Sequence, residues 1–233
     1  MKSLPIACAG LAFALAAGTA QAADRRESRE VAGFNSVSLA APLDVDIVQG
    51  GTEGLVLEGD ADQIAKIETV VEGGSLKIRM RERHWGQWSK LRGHLMVRDL
   101  HAIDIAGSGD VKARELRSGD FEISISGSGD VAIGTLAAER LRVSIAGSGD
   151  VNVAGKVERA ELTIAGSGDV NARRLEARGA KVSITGAGDA TLWAHESVDV
   201  SILGSGDVRY YGDPKVMKRV MGAGSVVRLA AAP

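Results

Sequence analysis

The sequence predicts an all-β protein, a parallel β-solenoid of about seven rungs of 18–20 residues preceded by an irregular β cap. Three observations carry that expectation. The phrase Gly-Ser-Gly-Asp-Val begins at Gly107, Gly127, Gly147, Gly166 and Gly204, with variants beginning at Gly186 and Gly222. The aligned Asp or Ser positions 110, 130, 150, 169, 189, 207 and 225 are separated by 20, 20, 19, 20, 18 and 18 residues. Apolar residues alternate with polar ones on both sides of the copies, the period of a half-buried strand, with Lys218 breaking the pattern at the last one. Thirty glycines, four prolines and 3% aromatic residues fit a turn-rich β protein.

Taken in order, the chain opens with a segment that reads as a secretory signal peptide over residues 1–22. Lys2 gives the positive start, Leu4 to Ala17 the apolar stretch, and Ala20-Gln21-Ala22 the small-residue cleavage site, so the mature chain is expected to begin at Ala23. Cys8 is the single cysteine, so residues 23–233 can form no disulfide and must be stabilised by packing. That places the protein in the periplasm or outside the cell. The mature formal charge of −3 gives no sign of nucleic-acid binding, and no second apolar run spans a membrane.

Residues 23–100 read as a β cap, or as imperfect rungs continuous with the rest. Phe34 to Leu39, Leu43 to Val48 and Leu76 to Met80 alternate as strands, Gln49-Gly50-Gly51 and Gly73-Gly74-Ser75 are turns, and Asp62 to Val70 is open between helix and strand.

Residues 101–233 are the repeats. With the first Gly of each phrase at position 7, position 5 reads Ile105, Ile125, Ile145, Ile164, Ile184, Ile202 and Val220, and position 11 reads Val111, Val131, Val151, Val170, Ala190, Val208 and Val226. Same-column side chains then stack about 4.8 Å apart as a continuous interior. Each rung is expected to be strand, tight turn, strand, and a connector of about seven residues anchored by one apolar residue such as Leu116, Leu136 or Leu175. The general preference for right-handed crossovers predicts a right-handed coil. The turns fall on Gly107, Gly109, Asp110, Gly127, Gly129, Asp130, Gly147, Gly149, Asp150, Gly166, Gly168, Asp169, Gly186, Gly188, Asp189, Gly204, Gly206 and Asp207. Outward position 2 alternates in charge through Glu122, Arg142, Glu161, Lys181 and Asp199, and position 4 carries small hydroxyls from Ser124 to Ser201.

At Val31-Ala32-Gly33-Phe34, Leu43-Asp44-Val45-Asp46-Ile47 and the Gly-Ser-Gly-Asp-Val array, over roughly residues 30 to 228, the chain resembles the head GIN domain family. That family is described as the head of autotransporter adhesins and is common in bacterial secreted and envelope proteins. The resemblance implies a β-helix-like fold and a role in adhesion. No membrane-anchoring barrel or coiled-coil stalk is legible, so the likeness concerns the head alone.

Three features invite a chemical reading. Stacked aspartates suit calcium in β-rolls, but that motif supplies ligands twice per coil and this one once per rung, so each Asp is expected to close its own turn through backbone N–H groups, with no metal. The segment Lys77 to Arg98 carries seven Lys and Arg against Glu82 alone. Its Arg79, Arg81, Arg83, Trp85 and Trp88 are candidates for an anionic polysaccharide or lipid head group, the alternative being tryptophans packed over the first rung. Position 14 sets Arg173, Trp193 and Tyr211 on successive rungs, either a sugar-binding strip or a corner of large side chains. No nucleophile–base pair, metal-ligand cluster or phosphate loop is visible, so the sequence reads as non-catalytic and without a cofactor. The expectation is a secreted or envelope binding module for anionic glycans or envelope components. A polysaccharide-modifying enzyme and a structural subunit joining end to end as a homo-oligomer are the alternatives.

Overall fold

In a computed structural model that describes residues 24–81 and 90–230, alternation becomes strand nearly everywhere. In chain order the elements are β1 (Asp24–Arg29), β2 (Ser36–Ala40), β3 (Leu43–Gln49), β4 (Gly54–Asp60), α1 (Ala61–Ile64), β5 (Ile67–Glu72), β6 (Ser75–Met80), β7 (Leu91–Val97) and β8 (Ala102–Gly107). The repeats follow as β9 (Val111–Gly127), β10 (Val131–Gly147), β11 (Val151–Gly166), β12 (Val170–Gly186), β13 (Ala190–Gly204), β14 (Val208–Tyr211), β15 (Lys215–Gly222) and β16 (Val226–Arg228). The expected leader, residues 1–22, lies outside the described residues.

The rungs stack in parallel and in register: Ile125 pairs with Ile145, Ile145 with Ile164 and Ile164 with Ile184. Positions 3, 5, 11 and 13 face inward, and the burial also takes in position 1 (Phe121, Leu141, Ala160, Ala180, Val198). The expected seven-residue connector is corrected here. Residues such as Leu116-Arg117-Ser118 and Leu136-Ala137-Ala138 are paired strand, because their backbone groups stack on the neighbouring rung as well as those of the core columns do. Shorter rungs are absorbed as bulges on this side, between Ala172 and Glu176 for example.

The N-terminal segment divides into rungs and a true cap. Val37, Leu39, Val45 and Ile47 pair with Ile103, Ile105, Val111 and Ala113, so β2 and β3 form a rung with Ala41-Pro42-Leu43-Asp44 at its corner. β6 and β7 stack on the far side of that rung, Leu76 on Val37 and Leu95 on Ile47. The order in space is therefore β6/β7, β2/β3, β8/β9, which differs from the order in sequence. Residues 62–70 hold both a helix and a strand: Asp60 caps α1 through Asp62 N (3.0 Å) and Gln63 N (3.1 Å), and β5 follows.

Antiparallel pairing ends the stack. β5 pairs with β6, β4 with β7 and β1 with β4. The Arg29 guanidinium donates to the carbonyls of Ile67 (2.7 Å) and Ile64 (3.0 Å), occupying acceptors beside β5 that another chain would otherwise use.

The corner glycines are required for closeness as well as conformation. Gly147 has φ +147°, open to glycine, and a Cβ there would overlap the carbonyl of Gly127. At Gly149, whose φ is ordinary, a Cβ would overlap the carbonyl oxygen of Gly129 and lie 3.0 Å from Ile125 Cγ2. Gly149→Ala should therefore force two rungs apart and lower stability by about 1–3 kcal/mol, several degrees in Tm, while Ser148→Ala on the exposed residue beside it stays within about 0.5 kcal/mol. Thermal unfolding followed by circular dichroism checks both.

Candidate functional site

The aspartate column joins rungs and does not close turns within them, which corrects the expectation from sequence. Asp110 Oδ1 accepts the backbone N–H of Asp130 at 3.0 Å, Asp130 that of Asp150 at 2.8 Å, and Asp150 that of Asp169 at 2.9 Å. Asp169 and Asp189 take the N–H groups of Asp189 and Asp207, each at 2.8 Å. Strict stacking brings the next rung's amide nearer to each carboxylate than its own turn does. Ser225 ends the ladder, giving both its N–H (2.9 Å) and its hydroxyl (2.8 Å) to Asp207 Oδ1. Those bonds, the hydroxyl foremost, hold the Asp207 carboxyl below its usual range. Arg209 spans the outer oxygens of Asp189 and Asp207, both at 2.9 Å. Among the described residues no group of three His, Cys, Asp or Glu side chains is placed to hold a metal ion.

Less cationic surface surrounds β6 and β7 than sequence counting implies. Lys77 pairs with Glu72 (2.7 Å) and Arg79 with Glu68 (2.8 Å), partners contributed by the neighbouring β5. Arg98 pairs with Glu53 at 3.2 Å, while Arg81 lies exposed. Arg83, Trp85 and Trp88 fall outside the described residues.

A face along the stacking axis brings more together. Its position 12 column runs Asp46, Lys112, Ala132, Asn152, Asn171, Thr191, Arg209. Asn171 Nδ2 donates to Asn152 Oδ1 at 3.0 Å. Beside it, Ala132, Gly134 and Ala154 carry almost no side chain and leave a trough. Two open depressions of about 690 and 140 Å³ meet at Ala132 and Gly134. Lys112 and Arg114 stand at one end of it, Arg173 and Arg174 at the other. All four are exposed, and none has a carboxylate partner among the described residues. Arg114 and Arg174 stand three rungs apart, roughly 14 Å.

Trp193 and Tyr211 lie beyond the arginines and pair directly across β13 and β14. Both are half-buried, and Trp193 also meets the His195 ring at a centroid distance of 5.5 Å, tilted 51°. Arg173 is not their neighbour in the ladder, as the position count had it. The bulge after Ala172 sets Glu176 opposite Trp193 and moves Arg173 out of register. Sequence counting missed Lys112, Arg114, Arg174 and the two asparagines. Their signal was present in position 12, where two asparagines recur on adjacent rungs.

A larger hollow, about 940 Å³, is lined by Glu139, Glu158, Glu196 and Asp199 against Arg140, Arg159, Arg178 and Lys181, so its charges balance in number. Arg178 pairs with Glu196 (2.8 Å) and Glu158 (3.8 Å), and nearby Arg140 with Asp120 (3.0 Å). On the position 2 ladder, Arg142 and Lys181 both reach Glu161, at 3.5 and 3.6 Å.

The family described as "Putative auto-transporter adhesin, head GIN domain" matches residues 33–214. A solved structure from Bacteroides fragilis, described as a putative adhesin, is 26% identical, with a TM-score of 0.85 over 90% of this chain and 98% of its own. One from Parabacteroides distasonis, described as a putative lipid binding protein, is 24% identical, with a TM-score of 0.74 over 89% of this chain and 97% of its own. A putative adhesin from Parabacteroides merdae shares the fold at 19% identity and a TM-score of 0.71, over 89% and 96% of the two chains. No curated protein matches.

One surface carboxyl carries a pH signature. Asp104 interrupts the hydroxyl column between Ser38 and Ser124, and desolvation by the surrounding strands, then repulsion from Glu122, raises its carboxyl above the usual range. A folded-state pKa above the unfolded value of about 3.9 means stability falls as pH rises through that interval and stays reduced above it. Asp104→Ser should therefore raise Tm at neutral pH, with the advantage shrinking as pH falls toward about 4 and gone below it. Thermal melts across pH for the two proteins test this.

Proposed function

Because the chain belongs to the head GIN domain family, we propose that it is a non-catalytic, adhesin-type binding module of the bacterial envelope whose trough holds an extended anionic polymer, an acidic polysaccharide in particular. The observation that carries this reading is the placing of Lys112 and Arg114, with Asp46 and Glu115 beside them, and of Arg173 and Arg174 at the two ends of a floor almost without side chains, none of the four cations in an ion pair among the described residues. Lys112 and Arg114 face Arg173 and Arg174 across Ala132, Gly134 and Ala154, a spacing that accommodates a few sugar residues laid along the axis. Asn152 and Asn171 supply amide groups for hydroxyls, and Trp193 with Tyr211 a partly exposed aromatic pair for stacking. The family and the B. fragilis neighbour support the coarser statement, a binding module without catalysis. No helix among the described residues is long and apolar enough to cross a membrane.

Binding to polygalacturonate and hyaluronan, with neutral dextran as control, tests the assignment. Arg114→Ala/Arg174→Ala should weaken acidic-polymer binding by about tenfold or more without changing Tm, and Trp193→Ala should weaken it less. The interaction should fade as salt is raised. Unchanged binding in the arginine variant, or loss only in Trp85→Ala/Trp88→Ala, would remove the trough as the site. New reducing ends or unsaturated products would contradict a non-catalytic role.

A further inference from the structure

The two ends of the solenoid are finished differently. At the β6/β7 end, antiparallel strands and Arg29 cover the stack. At the other end β15 pairs, among the described residues, only with β13, and its residues are largely exposed. Throughout the ladder, even positions bond the preceding rung, as Glu122 N does to His101 O and Ala223 N to Gly204 O. Odd positions bond the following one, as Val111 N does to Asp130 O. In β15 the odd positions are Val216, Lys218 and Val220, so their N–H and C=O groups point off the end of the stack.

Side chains at this end depart from the earlier rungs, beginning at Leu203 of β13. Position 6 is small in Ala106, Ser126, Ala146, Ala165 and Thr185, then becomes Leu203 and Met221, which are 53% and 58% exposed. Met217 is 59% exposed where the rungs from Glu122 to Asp199 carry charge, and Val220 is 37% exposed where earlier rungs bury isoleucine. Lys215, Lys218 and Arg219 are exposed and have no carboxylate partner among the described residues, whereas Arg228 is held by Asp213 at 2.8 Å. Apolar groups, uncompensated cations and unpaired backbone thus lie along one eight-residue edge.

We propose that the exposed edge of β15 accepts an acidic, extended segment of a partner protein as an added strand, its carboxylates meeting Lys215, Lys218 and Arg219 and its apolar side chains Met217 and Met221. A second copy of this chain fits the edge poorly. Two antiparallel β15 strands would bring their cations together. The opposite end of another molecule offers β5, but Arg29 already occupies the carbonyls of Ile64 and Ile67, and Glu68 and Glu72 are already paired.

The test uses the full mature chain and a fluorescent blocked peptide of about ten residues repeating Glu-Val-Val-Glu, which sets carboxylates and apolar groups in turn on each face of an added strand, read by anisotropy. A peptide of the same composition interrupted by proline and phosphatidylcholine vesicles containing phosphatidylglycerol are run beside it. The decisive variant is Val220→Pro, which removes an outward N–H, leaves the bonds to β13 in place and keeps every charge. Binding of the uninterrupted Glu-Val-Val-Glu peptide alone, weakened about tenfold by Val220→Pro and abolished by Lys218→Glu/Arg219→Glu, supports the proposal. A melting curve for each variant confirms that it is folded. Equal binding of the proline-interrupted peptide, indifference to Val220→Pro, or binding of vesicles without the peptide overturns it. So does a concentration-dependent dimer in light scattering that Val220→Pro dissolves.

Discussion

Close approach of successive backbones at one corner is the constraint on which the rest of the structure depends. Two glycines per rung remove the Cβ atoms that would hold rungs apart, and one aspartate per rung takes the amide of the rung above. At Gly127, Gly147 and Gly166 a side chain would collide with the preceding glycine's carbonyl, so each of these rungs needs glycine to stack on the one before it. Once the corner is fixed, the isoleucine and valine columns fall into register without further instruction, because a one-residue slip would turn every apolar side chain outward. The connector strands carry less of this burden. They tolerate bulges and rungs shortened to 18 or 19 residues.

A stack held by repetition has to be stopped by departures from it. At one end, the chain leaves the parallel order, runs β4 and β5 antiparallel to the last rung with α1 between them, and uses Arg29 to occupy carbonyls near the edge. At the other end, Ser225 replaces Asp and turns its hydroxyl back to Asp207, closing the corner ladder while the β15 edge stays open. The trough on the position 12 and 14 columns is a departure as well. It exists because Gly134 and Ala154 lack the side chains that Arg114 and Trp193 supply on the same face.

The repeats were legible because periodicity of 18 to 20 residues survives in the sequence without distortion. The columns Ile105 to Ile202 and Val111 to Val208 are buried as that period requires. What was not legible is set by contacts between residues distant in the chain. Asp110 and Asp130 are partners only after stacking, so a local rule assigned each to its own turn. Lys77 and Arg79 looked unpaired because their carboxylates come from β5, outside the counted window. Arg173 was placed beside Trp193 by a strict column count, and a bulge, invisible to counting, separates them. The rung formed by β2 and β3 was hidden because Ala-Pro-Leu-Asp at 41–44 lacks the glycines, although its apolar columns match.

The binding surfaces proposed at the trough and at β15 both lie on one stack of rungs, and the corner clamp joins those rungs. Amide hydrogen exchange measured residue by residue, on the wild-type protein and on Asp150→Ala, addresses that clamp most directly. A clamp that joins rungs predicts slow exchange for the amides of Asp130, Asp150, Asp169 and Asp189, and a selective acceleration at Asp169 when the Asp150 carboxylate is removed. Acceleration confined to Gly149 and the substituted position beside it, with Asp169 still slow, would show that each aspartate serves its own turn and would contradict the clamp between rungs.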